Sequence, residues 1–309
     1  MTKQIIFANP NSVNRSNNTQ VLILLHLAVF LAGWTGVFGR LISLSGLPLV
    51  WYRMMVSIVT LTLALMVMRR FHVPERKALV RICGCGFVLA IHWVAFYASI
   101  QASNVSVGVA CIATTSFFTA LLNIFFNRKE ASWKEFAISF VSIAGALLIF
   151  SLDVRYRLGI ALGLLCAFAY AVFALLHIRT AERTGEDSAT MLLYEIVGGF
   201  FLLSLCMPAF VRLMPQLSIH PSKADVIWLI LLGSIFTILP FVLQLHALRR
   251  VSAFTVNLAY NLEPVYSIAF AAVLFGEFRE LNWSFWLGIS LILFSVVIQT
   301  LRVRNRDLG

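Results

Sequence analysis

Apolar residues in this chain come in long unbroken runs, set apart by short charged or Gly/Pro-containing breaks. Ten runs are distinguished, at roughly 21–41, 48–68, 79–99, 104–126, 134–152, 158–178, 189–211, 225–248, 253–275 and 283–301. At ~1.5 Å per residue each is long enough to cross a hydrocarbon layer as a helix, and a helix satisfies its own backbone N–H and C=O groups where no water is present to do so. Strands of a membrane barrel would be about ten residues long with alternating polar and apolar positions, a pattern not found here. The last two links, 249–252 and 276–282, are very short, which favours a compact bundle. Residues 1–20 are polar and Asn-rich without the apolar core of a signal peptide, and they read with 304–309 as short cytoplasmic tails.

Composition turns this pattern into a class. The 309 residues are 60% hydrophobic and only 12% charged, with a mean hydropathy of +0.90, against about 45–50% apolar and about 25% charged in soluble domains. A water-soluble globular protein is thereby excluded, and ten crossings leave almost no chain for a separate soluble domain. The five cysteines all lie inside apolar runs, so a disulfide scaffold is not expected, and Cys83-Gly84-Cys85 has no second Cys/His pair to complete a zinc site. The six histidines lack metal-ligand spacing, and no Walker loop, GxGxxG, HExxH or GxSxG occurs. Neither a metal nor another cofactor is expected.

The net charge of +11 is explained by where the cations fall. With the amino terminus inside, 17 of the 24 Lys and Arg residues lie on the cytoplasmic side, among them Arg69, Arg70, Arg76, Lys77, Arg249 and Arg250, and six lie on the other. This is the distribution that orients membrane proteins, and it puts both termini in the cytoplasm. The basic balance is an orientation signal facing anionic headgroups and gives no argument for nucleic acid. Trp51, Trp133, Trp228, Trp283 and Trp286 fall near run ends, as an interfacial belt requires.

The two halves resemble each other. Residues 97–126 laid over 246–275, an offset of 149, give six identities in thirty, at equivalent positions in two sets of five runs. Five crossings per half force opposite orientations, so the expected architecture is an all-α polytopic membrane protein of ten helices in two inverted five-helix repeats, at 21–152 and 158–303. Inverted repeats around a midplane site are a recurring plan of secondary transporters.

Ionisable groups in hydrocarbon are functional candidates because placing charge there is costly. Arg53, His92 and Glu263 lie deepest, whereas Glu195, His26, His177 and His246 lie nearer the inner surface. Trp34 and Trp93 share the depth of the first three, and Tyr97 continues the aromatic face of the third helix. One cation, one carboxylate, one imidazole and several aromatic planes suit a small zwitterionic or aromatic metabolite. Structural alternatives stand beside each assignment: Arg53 snorkels or pairs with Glu263, His92 is a neutral imidazole bonded to a carbonyl, and the tryptophans pack. Glu263 precedes Pro264, which predicts a kinked ninth helix with Asn261 beside the break. In the fourth helix Thr114-Thr115-Ser116 occupies the equivalent place, and its hydroxyls line a cavity or bond between helices.

These residues resemble the drug/metabolite transporter superfamily, in its EamA-type branch, over about residues 20–303. The likeness is carried by Gly33-Trp34 in the first helix, Pro48 followed by Arg53, His92-Trp93 with Tyr97-Ala98, Leu262-Glu263-Pro264-Val265, and Gly276-Glu277 with Gly288. The first half departs from it, with Lys129-Glu130 where Gly-Glu is expected and no proline near Thr114. The resemblance implies a small-molecule exporter or exchanger of the bacterial cytoplasmic membrane, with alternating access around a central cavity and amino acids among its substrate classes.

The expected function is thus secondary transport of a small metabolite, with Arg53, His92, Trp93, Tyr97, Thr115, Asn261, Glu263 and Trp34 as cavity candidates and Pro264 as the kink. Glu263 and His92, both titratable and both deep in the membrane, are the proton-coupling candidates. The expected partners are the substrate, the lipid bilayer and protons, with monomer and homodimer both open and no enzyme activity. The alternatives are a lipid or lipid-linked-sugar translocase and a membrane-embedded lipid-modifying enzyme; the latter would need catalytic groups clustered at one interface.

Overall fold

The computed structural model describes residues 15–126, 156–215, 218–248, 262–279 and 283–307, together with positions 140, 141, 144, 145, 148 and 260. Every regular element among them is a helix. In chain order these are α1 (Arg15–Leu41), α2 (Gly46–Val67), α3 (Arg76–Ala102), α4 (Val105–Ile112), α5 (Thr115–Phe126), α6 (Arg157–Thr184), α7 (Ser188–Leu213), α8 (Lys223–Gly233), α9 (Ile235–Leu248), α10 (Glu263–Phe275) and α11 (Trp283–Asp307), with a 3-10 turn at Glu277–Arg279.

Six helical stretches among the described residues are long and apolar enough to cross a membrane, and shorter apolar helices cover Val105–Thr119, Glu263–Phe275 and Trp283–Ser295. Nine of the ten expected runs thus have a helical counterpart. The run at 134–152 falls outside the described residues apart from isolated positions. Three boundaries shift by six residues because helices continue past the apolar stretch: α1 begins at Arg15, α11 runs on to Asp307, and α6 runs on to Thr184. There the left-handed Gly185 (φ 68°) ends it, its N–H bonded to the Ala181 carbonyl at 2.8 Å, a conformation glycine adopts without side-chain strain. Local sequence also sets the helix starts. Asp187 accepts from the N–H groups of Ala189 and Thr190, Asn104 accepts from Val107, and Ser222 with Asp225 forms a capping box.

Two helices are interrupted in mid-run. The fourth run breaks at Ala113–Thr114 and the eighth at Ser234. The first of these lies opposite Leu262–Glu263 in the 149-residue overlay, where α10 begins after a turn residue. No proline stands at Ala113–Thr114; instead the Thr114 hydroxyl and N–H both donate to the Cys111 carbonyl, at 2.6 and 3.0 Å. This local side-chain bond competes with continuation of the helix.

The two halves interleave. Helix α3 packs on α6 and α7, α1 packs on α9 and α10, α4 packs on α6, and α2 packs on α7 and α8. Exchanging the halves turns the α3–α6 contact into α1–α9, α4–α6 into α1–α10, and α3–α7 into α2–α8, as a repeated architecture requires. Close approach depends on glycine at a few points. A methyl group on Gly86 would fall on the Glu195 carbonyl, and one on Gly198 on the Cys83 backbone, so α3 and α7 touch backbone to backbone.

One end of the bundle is fastened by two buried carboxylates. Glu277 accepts from Arg40 Nη1 (2.9 Å), the N–H groups of Val105 (3.0 Å) and Ser106 (2.9 Å), and the Ser106 hydroxyl (2.6 Å). It gives the buried, otherwise unpaired amides at the start of α4 an acceptor with a charge of the sign the helix terminus favours. Asp225 likewise accepts from the N–H and hydroxyl of both Ser43 and Ser222. At the opposite end, His72 meets Glu186 at 2.7 Å and Arg70 meets Asp187 at 3.3 Å.

Candidate functional site

Arg53 lies seven residues into α2, about 10 Å from its start, and is 5% exposed. Three neighbours hold its guanidinium. Nη1 donates to the Tyr97 hydroxyl at 2.9 Å, Nε donates to the Thr237 hydroxyl at 3.2 Å, and the guanidinium carbon lies 4.0 Å from the Trp93 ring centroid. Trp93 and Tyr97 are four residues apart on α3, one face of one helix. The planar guanidinium stacks on the indole while its edge makes hydrogen bonds, an arrangement lysine cannot reproduce.

The break between α8 and α9 supplies the third contact. Interrupting a helix frees carbonyls that must find donors. The Thr237 hydroxyl gives its proton to the Leu232 carbonyl at 2.6 Å and thereby remains an acceptor for Arg53, while Ser57, one turn beyond Arg53 on α2, donates to the Gly233 carbonyl at 2.8 Å. The break at Ser234 is therefore built into the arginine site.

Glu263 opens α10 and is half-buried, with Pro264 in the first turn, where its missing N–H costs no helical bond. Glu263 lies within electrostatic range of Arg53, Tyr97, Tyr170 and Tyr260. Yet among the described residues no ion pair within 4.0 Å joins Glu263 to Arg53. The guanidinium and the carboxylate thus face one region without neutralising each other directly. Tyr260 donates to the Pro240 carbonyl at 3.4 Å, tying the start of this segment to α9.

The other residues expected at the site are placed around this centre. His92 is 7% exposed and turns toward α6, where Nδ1 lies 3.0 Å from the Cys166 carbonyl and the ring lies 4.9 Å from that of Tyr170. Trp34 packs against rings of the second half, 4.7 Å from Phe270 and 6.1 Å from Phe236. Thr115 opens α5 with its hydroxyl buried and without a hydrogen-bond partner among the described residues. Asn261 lies outside the described residues. Among those described, no three His, Cys, Asp or Glu side chains converge as a metal site.

Arg53, Trp93 and Tyr97 are thus brought together, Glu263 stands within electrostatic range, and His92 and Trp34 face neighbouring helices. Thr237, Ser57 and Tyr170 are members that sequence reading missed. The signal for each was a hydroxyl isolated in an apolar run, visible for depth but silent about which way around the helix it points.

Comparison with known proteins places the chain in a family. The model of the EamA-like transporter family matches residues 19–151 and again 157–301. No curated protein matches the chain significantly. Among solved structures 25 chains match; one crystal structure, its title naming no activity, aligns over 92% of this chain and 99% of its own at 15% identity with a TM-score of 0.60. At that identity the likeness concerns the fold.

Proposed function

Since the chain belongs to the EamA-like transporter family, and so to a family of multi-pass membrane transporters, we propose that it carries a small anionic or zwitterionic metabolite at the Arg53 site by alternating access. The observation that carries this reading is the pairing of Arg53. A guanidinium buried in the middle of a bundle would ordinarily be matched by a carboxylate, but its protein hydrogen bonds here go to two neutral hydroxyls. A substrate carboxylate or phosphate would supply the missing counter-charge with the bidentate geometry that arginine favours. Glu263, separate from Arg53, would receive an ammonium group on the same molecule, and Trp93 and Tyr170 offer ring faces to its apolar part.

The two repeats would rock about this layer. The break at Ser234, whose Thr237 bonds Arg53, and the start of α10 at Glu263 support this, since some transporters bind substrate at discontinuous helices. The excess of cations on the loops assigned to the cytoplasm supports a ten-helix chain with both termini inside a bacterial cytoplasmic membrane, working as an exporter or exchanger.

The test is counterflow in liposomes containing the purified protein, with a panel of labelled amino acids, organic acids and phosphorylated metabolites. At least one anionic or zwitterionic compound should exchange in a manner abolished by Arg53→Ala. Exchange of none of them, together with flipping of a labelled lipid in the same vesicles, would overturn this reading in favour of a lipid translocase.

A further inference from the structure

A second buried polar cluster lies away from the Arg53 site. Glu195, two turns into α7, is 0% exposed. Its Oε1 lies 2.8 Å from Nδ1 of His177 on α6, and its Oε2 has no hydrogen-bond partner among the described residues. The His177 side chain keeps 24% of its surface accessible. One member of the pair is therefore sealed while the other has an open side.

Among the described residues Glu195 makes no other ion pair. On α3, Cys85 is close enough to feel its charge, and the Cys85 thiol is hydrogen-bonded to the Thr180 hydroxyl of α6 at 3.3 Å; the backbone of Cys83, two residues earlier, lies against Gly198. On α7 itself, Tyr194 turns its hydroxyl to the His72 carbonyl at 3.0 Å. Helix α2 carries only Tyr52 and Arg53 as titratable side chains; the first packs on Trp51 and the second is held by Tyr97 and Thr237. On α6, Arg179 is two residues from His177 and so on the opposite face of the helix. A buried carboxylate with a free oxygen is costly, and within membranes such groups mark ion and proton paths.

The cluster is mechanically and sterically joined to the Arg53 site. The Glu195 backbone abuts Gly86 of α3, the helix that carries Trp93 and Tyr97. From His177 a row of rings leads back along α6: His177 to Phe173 at 5.7 Å, Phe173 to Tyr170 at 6.1 Å, and Tyr170 to His92 at 4.9 Å.

We propose that the Glu195–His177 pair is a proton-binding site, distinct from Glu263, whose occupancy is transmitted to the Arg53 site through the contacts of α3 with α6 and α7. The coupling part of this proposal rests on the transporter reading above. A proton arriving at Nε2 of neutral His177 releases the Nδ1 proton to Oε1 of Glu195. One N–H bond forms, one breaks and one O–H bond forms, so that the pair gains a single proton. Its arrival neutralises the sealed carboxylate where α3 and α7 touch.

Infrared titration of the purified full-length protein tests the binding site without any substrate. A protonated-carboxyl band that appears with falling pH should be absent from Glu195→Gln and displaced along the pH axis in His177→Asn. The same titrating bands in the wild type and both variants would overturn the proposal. With a metabolite found by counterflow, Glu195→Gln should keep exchange at equal pH and lose about tenfold or more of the accumulation driven by a pH gradient. Equal loss in both modes, with His177→Asn unaffected, would show Glu195 to be structural and overturn the coupling. Lack of counterflow in the wild type would count against the transporter reading alone, since the infrared result does not depend on it.

Discussion

The guanidinium of Arg53 lies over the indole of Trp93, 4.0 Å from carbon to ring centroid, and donates to Tyr97 one turn further along the same helix. Replacing it by lysine keeps the charge and removes both the planar stack and the second donor. Arg53→Lys should cost about 1–3 kcal/mol of binding, seen as a roughly 5–150-fold rise in the concentration for half-maximal counterflow. Trp93→Phe should cost less, because a ring face remains. Wild-type affinity in Arg53→Lys would show that only the charge matters.

Glu277 holds four donors from two other helices, and removing it strands the buried ones, on Val105 and Ser106, while Arg40 can turn to solvent. Glu277→Ala should lower folding stability by about 3–5 kcal/mol, and Glu277→Gln by less, since one carbonyl acceptor remains. Thermal unfolding in detergent would measure both, and an unchanged midpoint for Glu277→Ala would contradict the fastening role.

Gly86 and Gly84 make a matched pair. A methyl on Gly86 meets the Glu195 carbonyl, whereas one on Gly84 meets nothing within 4 Å. Gly86→Ala should push α3 from α7 and destabilise by about 1–3 kcal/mol or more. Gly84→Ala should be neutral or stabilise by up to about 1 kcal/mol through helix propensity. Equal behaviour of the two variants in thermal unfolding would refute the backbone contact.

The ion pairs between the loop at 69–75 and the start of α7 give a pH dependence of defined sign. The hydrogen bond to Glu186, with that to the Arg70 carbonyl, raises His72 above its ordinary 6.5. Partial burial works against ionisation of Asp187, but bonds from Thr190 and Ala189 and the charge of Arg70 hold it below its ordinary 3.8. The histidine contribution is complete below the ordinary imidazole value and is lost as pH rises through the raised one. The Asp187 contribution is complete above the ordinary carboxylate value and is lost as pH falls through the lowered one. The two loops should be held best from about pH 4 to about pH 6.5 and loosen above. Hydrogen exchange at His72–Glu186 should quicken with that rise in pH, beyond the intrinsic rate, and the extra step should vanish in His72→Gln.

Much of this arrangement was legible in the chain, and the limits have physical causes. Unbroken apolar runs mark helices because lipid leaves the backbone no other choice, and the depth of Arg53 follows from counting residues from the helix start. The pairing of Trp93 with Tyr97 follows from helical spacing. Depth does not give azimuth: Trp34 lies at the expected level yet turns toward Phe236 and Phe270, and His92 turns toward Cys166. The break at Ser234 carries no glycine-proline signature at the residue itself, so Thr237 could be recognised as an arginine ligand only after the carbonyls of Leu232 and Gly233 had been placed. The Ala113–Thr114 break was not expected from the chain, because a hydroxyl that interrupts a helix and one that merely faces a neighbour look the same in a sequence.

The fastening at Glu277 also bears on how the protein is made. Ser106 and Glu277 are 171 positions apart, so a nascent chain that has inserted the start of α4 must wait for most of the remaining polypeptide before those amides meet their acceptor. Until then the first repeat carries an unfinished helix end into the bilayer. Closure of this end of the bundle is therefore a late event in synthesis: the start of α4 cannot meet its carboxylate until Glu277 has been made.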